Sequence, residues 1–205
     1  RPLSLGIKAD FSGNKVSFTL DKGMKVSVEI NENLDETVFV FVTEKKEYDF
    51  SGYDNVIVFD KPEYDIDELA IDKDNTAVYI AHDTVVNGRI VAKNVNNLKI
   101  CGSGILAMAK YTRGLPEDMT RCLDILGCKN VTVEDICIFD SCNWSFRLNG
   151  CDDVEVNNVK VIGCRGNSDG CDVCGSRNVH VHDCFIRTYD DCLVLKAFDT
   201  GDVEN

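Results

Sequence analysis

A valine-rich pattern recurs in this chain as Asn130-Val131-Thr132-Val133-Glu134-Asp135-Ile136, Asp153-Val154-Glu155-Val156-Asn157-Asn158-Val159 and Asn178-Val179-His180-Val181-His182-Asp183-Cys184. The copies begin at residues 130, 153 and 178, a spacing of 23 and then 25 residues, and a more distorted copy begins at Asn97. Periods of this length are typical of repeat architectures in which each unit packs on the next.

Each copy contains one valine-rich strand, a polar corner and a second short apolar strand. Stacking the copies in register predicts one inward ladder of Val131, Val154 and Val179 and a second of Val133, Val156 and Val181. Asp135, Asn158 and Asp183 then share a corner, which suits Asx residues because they tolerate left-handed backbone and bond locally. Hydrogen-bonded strands lie about 4.8 Å apart, so successive copies form the coils of a parallel β-helix.

Two other folds fit less well. A leucine-rich repeat needs a helical side, and no segment after Val78 keeps a 3.6-residue period. A β-sandwich would not repeat the same inward residue at each period. We therefore predict an all-β chain: a right-handed parallel β-helix over residues 75–205, preceded by a small antiparallel β-sandwich-like region over residues 1–65.

The hydrophobic pattern of the N-terminal region differs from that of the repeats. Val16, Phe18 and Leu20 alternate with polar residues, as do Val26, Val28 and Ile30. Residues 37–42 and 56–59 are more continuously apolar, and Gly13-Asn14 and Asp21-Lys22-Gly23 supply turns. This pattern favours short antiparallel strands, followed by a linker at residues 61–67.

Composition excludes some partners. The formal net charge is −13, and the sequence has neither a basic stripe for nucleic acid nor an apolar run that spans a bilayer. Neither a starting methionine nor a signal peptide is visible, so localisation is not readable from the N-terminus.

The sequence contains eleven cysteines, an odd number, so at least one of them cannot form a disulfide within the chain. Their repeat positions favour buried apolar roles over isolated disulfides or a metal site at Cys171 and Cys174. We predict no cofactor and no metal.

Three aspartates form the candidate catalytic group. Asp169 lies in Asn167-Ser168-Asp169-Gly170, and Asp190 and Asp191 follow Tyr189. Asp169 and Asp190 are 21 residues apart, close to one coil, so the three carboxylates should converge on one face. Crowded carboxylates raise the pKa of at least one of them, and glycosidic cleavage uses a protonated acid beside an ionised base. Bound calcium is the alternative use. Because consecutive strand residues face opposite sides, Asp190 and Asp191 can share a site only where the backbone is irregular.

These segments resemble the polygalacturonase-like glycoside hydrolases. Residues 167–170 are similar to that family's Asn-Thr-Asp-Gly motif, residues 190–192 with Lys196 to its Gly-Asp-Asp-Cys stretch and following lysine, and residues 141–144 to its Ser-Pro-x-Trp segment. The resemblance covers residues 78–197, and residues 1–60 resemble the N-terminal sandwich of some bacterial members. It implies an inverting hydrolase of α-linked polysaccharide, typically pectic polygalacturonate in cell-wall degradation, with Asp190 as general acid and Asp169 and Asp191 activating water.

The same resemblance implies substrate-binding roles for Asn167, Lys196, Trp144 and Tyr189, secretion, and a monomeric full-length protein. Two features depart from it. Tyr189 replaces the family's usual glycine, and the family's later Gly-His-Gly turn and Arg-x-Lys pair would follow Lys196, near the end of the sequence. We therefore expect a fragment that lacks C-terminal coils and that alone would be nearly inactive; a partner that covers the open end is the other explanation. Two other functions stay open: hydrolysis of another α-glycan, as in dextranase-like or isopullulanase-like enzymes, and non-catalytic carbohydrate binding.

Overall fold

The computed structural model describes residues 2–31, 33–112, 116 and 120–197 of the 205-residue chain. It is almost entirely β-structure. Its elements are a 3₁₀ turn at Leu3–Leu5 and the strands β1 (Asp10–Ser12), β2 (Lys15–Ser17), β3 (Lys25–Ile30), β4 (Asn33–Phe41), β5 (Asn55–Phe59), β6 (Glu63–Ile71), β7 (Thr76–Ile80), β8 (Val85–Lys93), β9 (Asn96–Cys101), β10 (Ile105–Ala107), β11 (Leu123–Leu126), β12 (Lys129–Glu134), β13 (Cys137–Phe139), β14 (Phe146–Asn149), β15 (Asp152–Asn157), β16 (Lys160–Ile162), β17 (Cys171–Cys174), β18 (Arg177–His182), β19 (Phe185–Arg187) and β20 (Leu193–Lys196).

The strands from β5 onward form a parallel β-helix, as predicted. One sheet has the order β18-β15-β12-β9-β7-β5, and every neighbouring pair in it is parallel. The other faces share the long strand β8, along which β10-β13-β16-β19 and β11-β14-β17-β20 extend as separate rows. Each coil after β8 therefore contributes one strand to each of three rows.

The predicted register is confirmed. Val131 pairs with Val154, which pairs with Val179, and the second valine ladder pairs in the same way. The corner residues adopt left-handed backbone, with φ of 68° at Asp135, 55° at Asn158 and 52° at Asp183. Asn158 Nδ2 also donates to Asp135 Oδ1, so the corner side chains bond from coil to coil. Asx residues recur at this corner because other side chains are strained in that backbone region.

The first coil begins earlier than the sequence pattern suggested. β5 and β6 pair in parallel with β7 and β8, and the chain divides into compact units of residues 1–47 and 48–205. Residues 55–71 thus lie in parallel coils, although we had assigned residues up to 65 to the N-terminal region and residues 61–67 to a linker. A short apolar strand such as β5 has the same sequence pattern in an antiparallel sheet and in a parallel β-helix. A two-domain organisation of the chain stays a prediction.

Residues 1–47 contain the expected antiparallel strands. β1 pairs with β2 and β3 with β4, in two separate two-stranded sheets. Within the described residues no helix is both long and apolar enough to cross a membrane.

The β-helix interior is apolar and contains most of the cysteines. All eleven cysteines are free thiols, and seven of them are buried, including Cys171 and Cys174. Cys164 and Cys192 are the exposed exceptions. In the last described coil the inward side chains are less covered: Leu193 is 52% and Leu195 82% exposed, whereas Phe146 two coils earlier is fully buried.

Candidate active site

The three predicted aspartates lie at the same end of two neighbouring strands. Asp169 precedes β17 in the turn after β16, and Asp190 and Asp191 occupy the bend between β19 and β20. Because Cys171 pairs with Leu193, Asp191 rather than Asp190 stands opposite Asp169. The bend is irregular backbone, which explains how two consecutive aspartates reach one site.

The carboxylates converge as the repeat spacing predicted. One oxygen from each of Asp169, Asp190 and Asp191 lies within 4.8 Å of the others. Asp169 is only 3% exposed, whereas the other two are exposed. The Oδ1 atom of Asp169 accepts no hydrogen bond from the described residues.

The same three carboxylates could hold a cation. Calcium takes six to eight oxygen ligands, so three aspartates would supply only part of its coordination.

Lys196 lies inside this group of carboxylates. Its Nζ atom donates to Asp169 Oδ2 at 2.9 Å and also contacts Asp172 Oδ1. The ammonium group sits 3.4 Å from the centre of the Trp144 ring, a cation–π contact. Lys196 therefore offsets the negative charge that accumulates where the coils bring the aspartates together.

Asp172 is a member of the site that sequence reasoning missed. It is fully buried in β17, and its Oδ2 atom accepts no hydrogen bond from the described residues. Burial raises the pKa of Asp172 to about 6, with the negative charge of Asp169 adding to the rise and Lys196 opposing it. The alternation of β17 could have shown that Asp172 faces outward, in line with Arg147 of the preceding coil.

We expect the Asp172→Asn variant to lose a pH dependence of stability. The folded carboxyl holds its proton to about pH 6, whereas an unfolded aspartate releases it near 3.9. Between these values the folded state binds more protons, so this group's contribution to the free energy of unfolding falls as pH rises. The free energy of unfolding of the parent relative to the variant should fall by roughly 2 kcal/mol from pH 4 to pH 7.

Urea unfolding at pH 4, 5, 6 and 7 measures this difference, and titrations common to both proteins cancel. Parallel curves for parent and variant would contradict a raised pKa at Asp172.

Two of the four predicted substrate-binding residues lie at the carboxylate site, and the other two lie on the surface beside it. Trp144 is half-buried beside Lys196, and the Arg121 guanidinium lies 4.9 Å from its ring centre. Asn167 is exposed, has left-handed backbone (φ 61°) and donates to Asn143 Oδ1 of the preceding coil. Tyr189 is 58% exposed, next to Asp190. Trp144 and Lys196 thus join the carboxylate site, while Asn167 and Tyr189 lie on the surface beside it.

Gly170 allows the coils to approach closely here. A Cβ atom at this position would stand 2.2 Å from the backbone oxygen of Cys192. The backbone N–H of Gly170 donates to the oxygen of Asp191 at 2.8 Å, and that of Ser145 donates to the oxygen of Asp169 at 2.7 Å. The main chain therefore fixes the segments that carry the aspartates. The Gly-His-Gly turn and the Arg-x-Lys pair expected after Lys196 do not occur in residues 197–205 of this sequence.

Comparisons with known proteins agree with this fold. The family model described as glycosyl hydrolases family 28 matches residues 62–203. Rhamnogalacturonase A of Aspergillus niger is 38% identical over 90 residues, which cover 42% of this chain and 20% of that protein. A polygalacturonase of Persea americana is 27% identical over 117 residues, covering 51% of this chain and 25% of that protein.

A solved structure shares the fold. It is the crystal structure of a protein from Parabacteroides merdae that has been assigned by inference as a glycosyl hydrolase. The two structures superpose with a TM-score of 0.60 at 18% sequence identity, over 69% of this chain and 74% of that one. At this identity the likeness supports the fold alone.

The fold and the family match define a polygalacturonase-like β-helix protein of the glycoside hydrolase class. The chain belongs to glycosyl hydrolases family 28, since the family model covers well over half of it. The matched segments span only 20% to 25% of the length of the curated relatives.

Proposed function

We propose that the full-length protein is an inverting glycoside hydrolase that cleaves α-linked pectic polysaccharide. The observation that carries the proposal is the convergence of Asp169, Asp190 and Asp191 on adjacent coils, with their nearest oxygens within 4.8 Å. Isolated carboxylates are common on protein surfaces. Three that are gathered around one buried member, beside a lysine and a tryptophan, suit acid–base chemistry on a sugar.

The roles follow from exposure and position. Asp190 is exposed in the bend before β20, where a bound glycan can reach it, and it acts as the general acid that protonates the leaving glycosidic oxygen. Asp169 and Asp191, opposite each other across β17 and β20, take the proton from a water molecule. The water oxygen attacks the anomeric carbon as the bond to the leaving oxygen breaks, which inverts the configuration.

A pectic substrate agrees with the two cations at the site and with the relatives' names. Although the chain carries a net charge of −13, the cations Lys196 and Arg121 both lie against Trp144. A cation beside a subsite can contact a sugar carboxylate despite the negative total, because binding depends on the local field. The relatives are named rhamnogalacturonase and polygalacturonase. We further propose that the protein works outside the cell as a monomer.

The test is an assay of the full-length protein on polygalacturonate, rhamnogalacturonan and dextran. We expect new reducing ends from a pectic polymer, with the β-anomer formed first from an α-linkage, as read by proton NMR within the first minutes. Early appearance of the α-anomer would show retention. Cleavage of dextran alone would assign the site to another α-glycan, and binding without cleavage would leave a carbohydrate-binding protein.

A further inference from the structure

A second cluster of potential ligands lies on a different sheet of the β-helix. Glu155 is in β15, and His180 and His182 are in β18, where residues two apart share a face. The two strands are parallel neighbours, and Glu155 pairs directly with His180. Adjacent coils therefore present two imidazoles and one carboxylate on the same outer surface; we call these three residues the His–Glu cluster.

The side chains of the His–Glu cluster converge. Glu155 Oε2 is 3.2 Å from His180 Nδ1, and Glu155 Oε1 contacts His182 Nε2. The two imidazole rings stack with centroids 4.4 Å apart and planes 16° apart. One ligand atom from each residue lies within 4.8 Å of the other two. A small rotation of each side chain would bring all three to a common ion.

Asp183 orients one of these imidazoles. Its Oδ2 atom lies 2.8 Å from His182 Nδ1. Because an ionised carboxylate only accepts hydrogen bonds, Nδ1 and the Nε2 atom that contacts Glu155 both carry a proton in this arrangement. An ion that took the place of the Nε2 proton would leave the Nδ1–H on Asp183. A second carboxylate that fixes the tautomer of a histidine is the usual outer-shell partner of a metal-binding imidazole.

We propose that Glu155, His180 and His182 form a binding site for a divalent transition metal, with Zn²⁺ as the best match. Two imidazole nitrogens and one carboxylate oxygen make a zinc ligand set that leaves a fourth position for water. Imidazole favours zinc, copper and nickel over calcium and magnesium. The ion would link the coils of β15 and β18.

Solvent exposure allows the ion to enter. The side chains of His180, Glu155 and His182 are 68%, 44% and 30% exposed. Lys99 of β9, which lies in the same ladder as Glu155, is paired with Glu134 at 2.9 Å, and Arg177 of β18 is paired with Asp152 at 3.2 Å. Within the described residues, Glu155 thus has the two histidines as its partners, and the site can accept positive charge.

The test is calorimetric titration of the full-length protein with ZnCl₂. Cys164 and Cys192 are exposed thiols that would compete, so the reference protein carries Cys164→Ser and Cys192→Ser. We expect one Zn²⁺ per chain, and binding weaker by at least about tenfold in His180→Gln and in His182→Gln. Asp183→Asn keeps a residue suited to left-handed backbone and should weaken binding about 10- to 100-fold through the tautomer.

His82→Gln is the matched control, because His82 also lies beside an aspartate, 3.3 Å from Asp83, but far from a second histidine in the sequence. Its Zn²⁺ affinity should be unchanged. Cobalt absorption of the reference protein gives an independent readout: thiolate charge-transfer bands at one equivalent of Co²⁺ would place the metal on other cysteines and overturn the proposal. Equal Zn²⁺ affinity in the His180→Gln/His182→Gln double variant, or no Zn²⁺ binding by the reference protein, would also overturn it.

Discussion

Replacing Asp190 with asparagine should lower the hydrolysis rate of the full-length protein by about 10²- to 10⁴-fold, the usual contribution of a general acid. Asparagine matches aspartate in size but cannot deliver a proton to the leaving oxygen. Asp190 is exposed, and its Oδ1 atom accepts from the backbone N–H of Asp191 at 3.0 Å, so the bend should tolerate the amide. The measurement is kcat on the pectic polymer that the parent cleaves.

Asp153→Asn provides the matched control for this experiment. Asp153 is an exposed residue at the start of β15 with φ of 59°, and the equivalent positions of β12 and β18 already hold Asn130 and Asn178. The same chemical change there should leave kcat unaltered. If Asp190→Asn kept more than about a tenth of the parental rate, the general acid would have to be another residue.

The repeat register was predictable because it depends on period alone. Val131, Val154 and Val179 align from their spacing, and a one-residue slip would turn every inward valine toward solvent. The same argument brought Asp169 close to Asp190 and Asp191, since residues one coil apart are neighbours. It also identified the corner at Asp135 and Asn158 through the tolerance of Asx residues for left-handed backbone.

Side-chain contacts between residues of neighbouring coils that are not paired in the strand register could not be predicted from the sequence. Lys196 pairs in the ladder with Cys174, yet its long side chain reaches Asp172 and Asp169. Sequence spacing predicts which Cα atoms are close and leaves open where a flexible side chain of four methylenes ends. For the same reason the sequence predicts a substrate-binding role for Lys196 but not its contacts with the buried Asp169 and Asp172.

Charges alternate along the outward face of the row β11-β14-β17. Asp124 pairs in register with Arg147, and Arg147 with Asp172, which in turn contacts Lys196. Asp124 and Asp172 are buried, so each anion depends on the cation of a neighbouring coil. The column ends at the candidate active site, and its pairs therefore support β17, the strand that directly follows Asp169.

Arg147→Met should destabilise the protein by about 3–5 kcal/mol, because it leaves a buried charge without its partner. Arg147 donates to both oxygens of Asp124, from Nε at 2.8 Å and from Nη2 at 2.9 Å. Asp124 is 2% exposed, and the Nη2 atom of Arg89 lies 3.9 Å from its Oδ2 atom. Guanidinium chloride unfolding at pH 7 measures the loss.

Two further variants distinguish the cost of the unpaired buried charge from the cost of losing the arginine side chain itself. Asp124→Leu/Arg147→Met removes both charges and should recover most of the stability, since buried ion pairs contribute little relative to apolar residues of similar volume. Arg177→Met is the surface control: Arg177 pairs with Asp152 at 3.2 Å between adjacent coils but is 75% exposed, so its loss should cost about 0–1 kcal/mol. An Arg147→Met variant no less stable than Arg177→Met would show that water reaches Asp124 and that the charge column does not support the site.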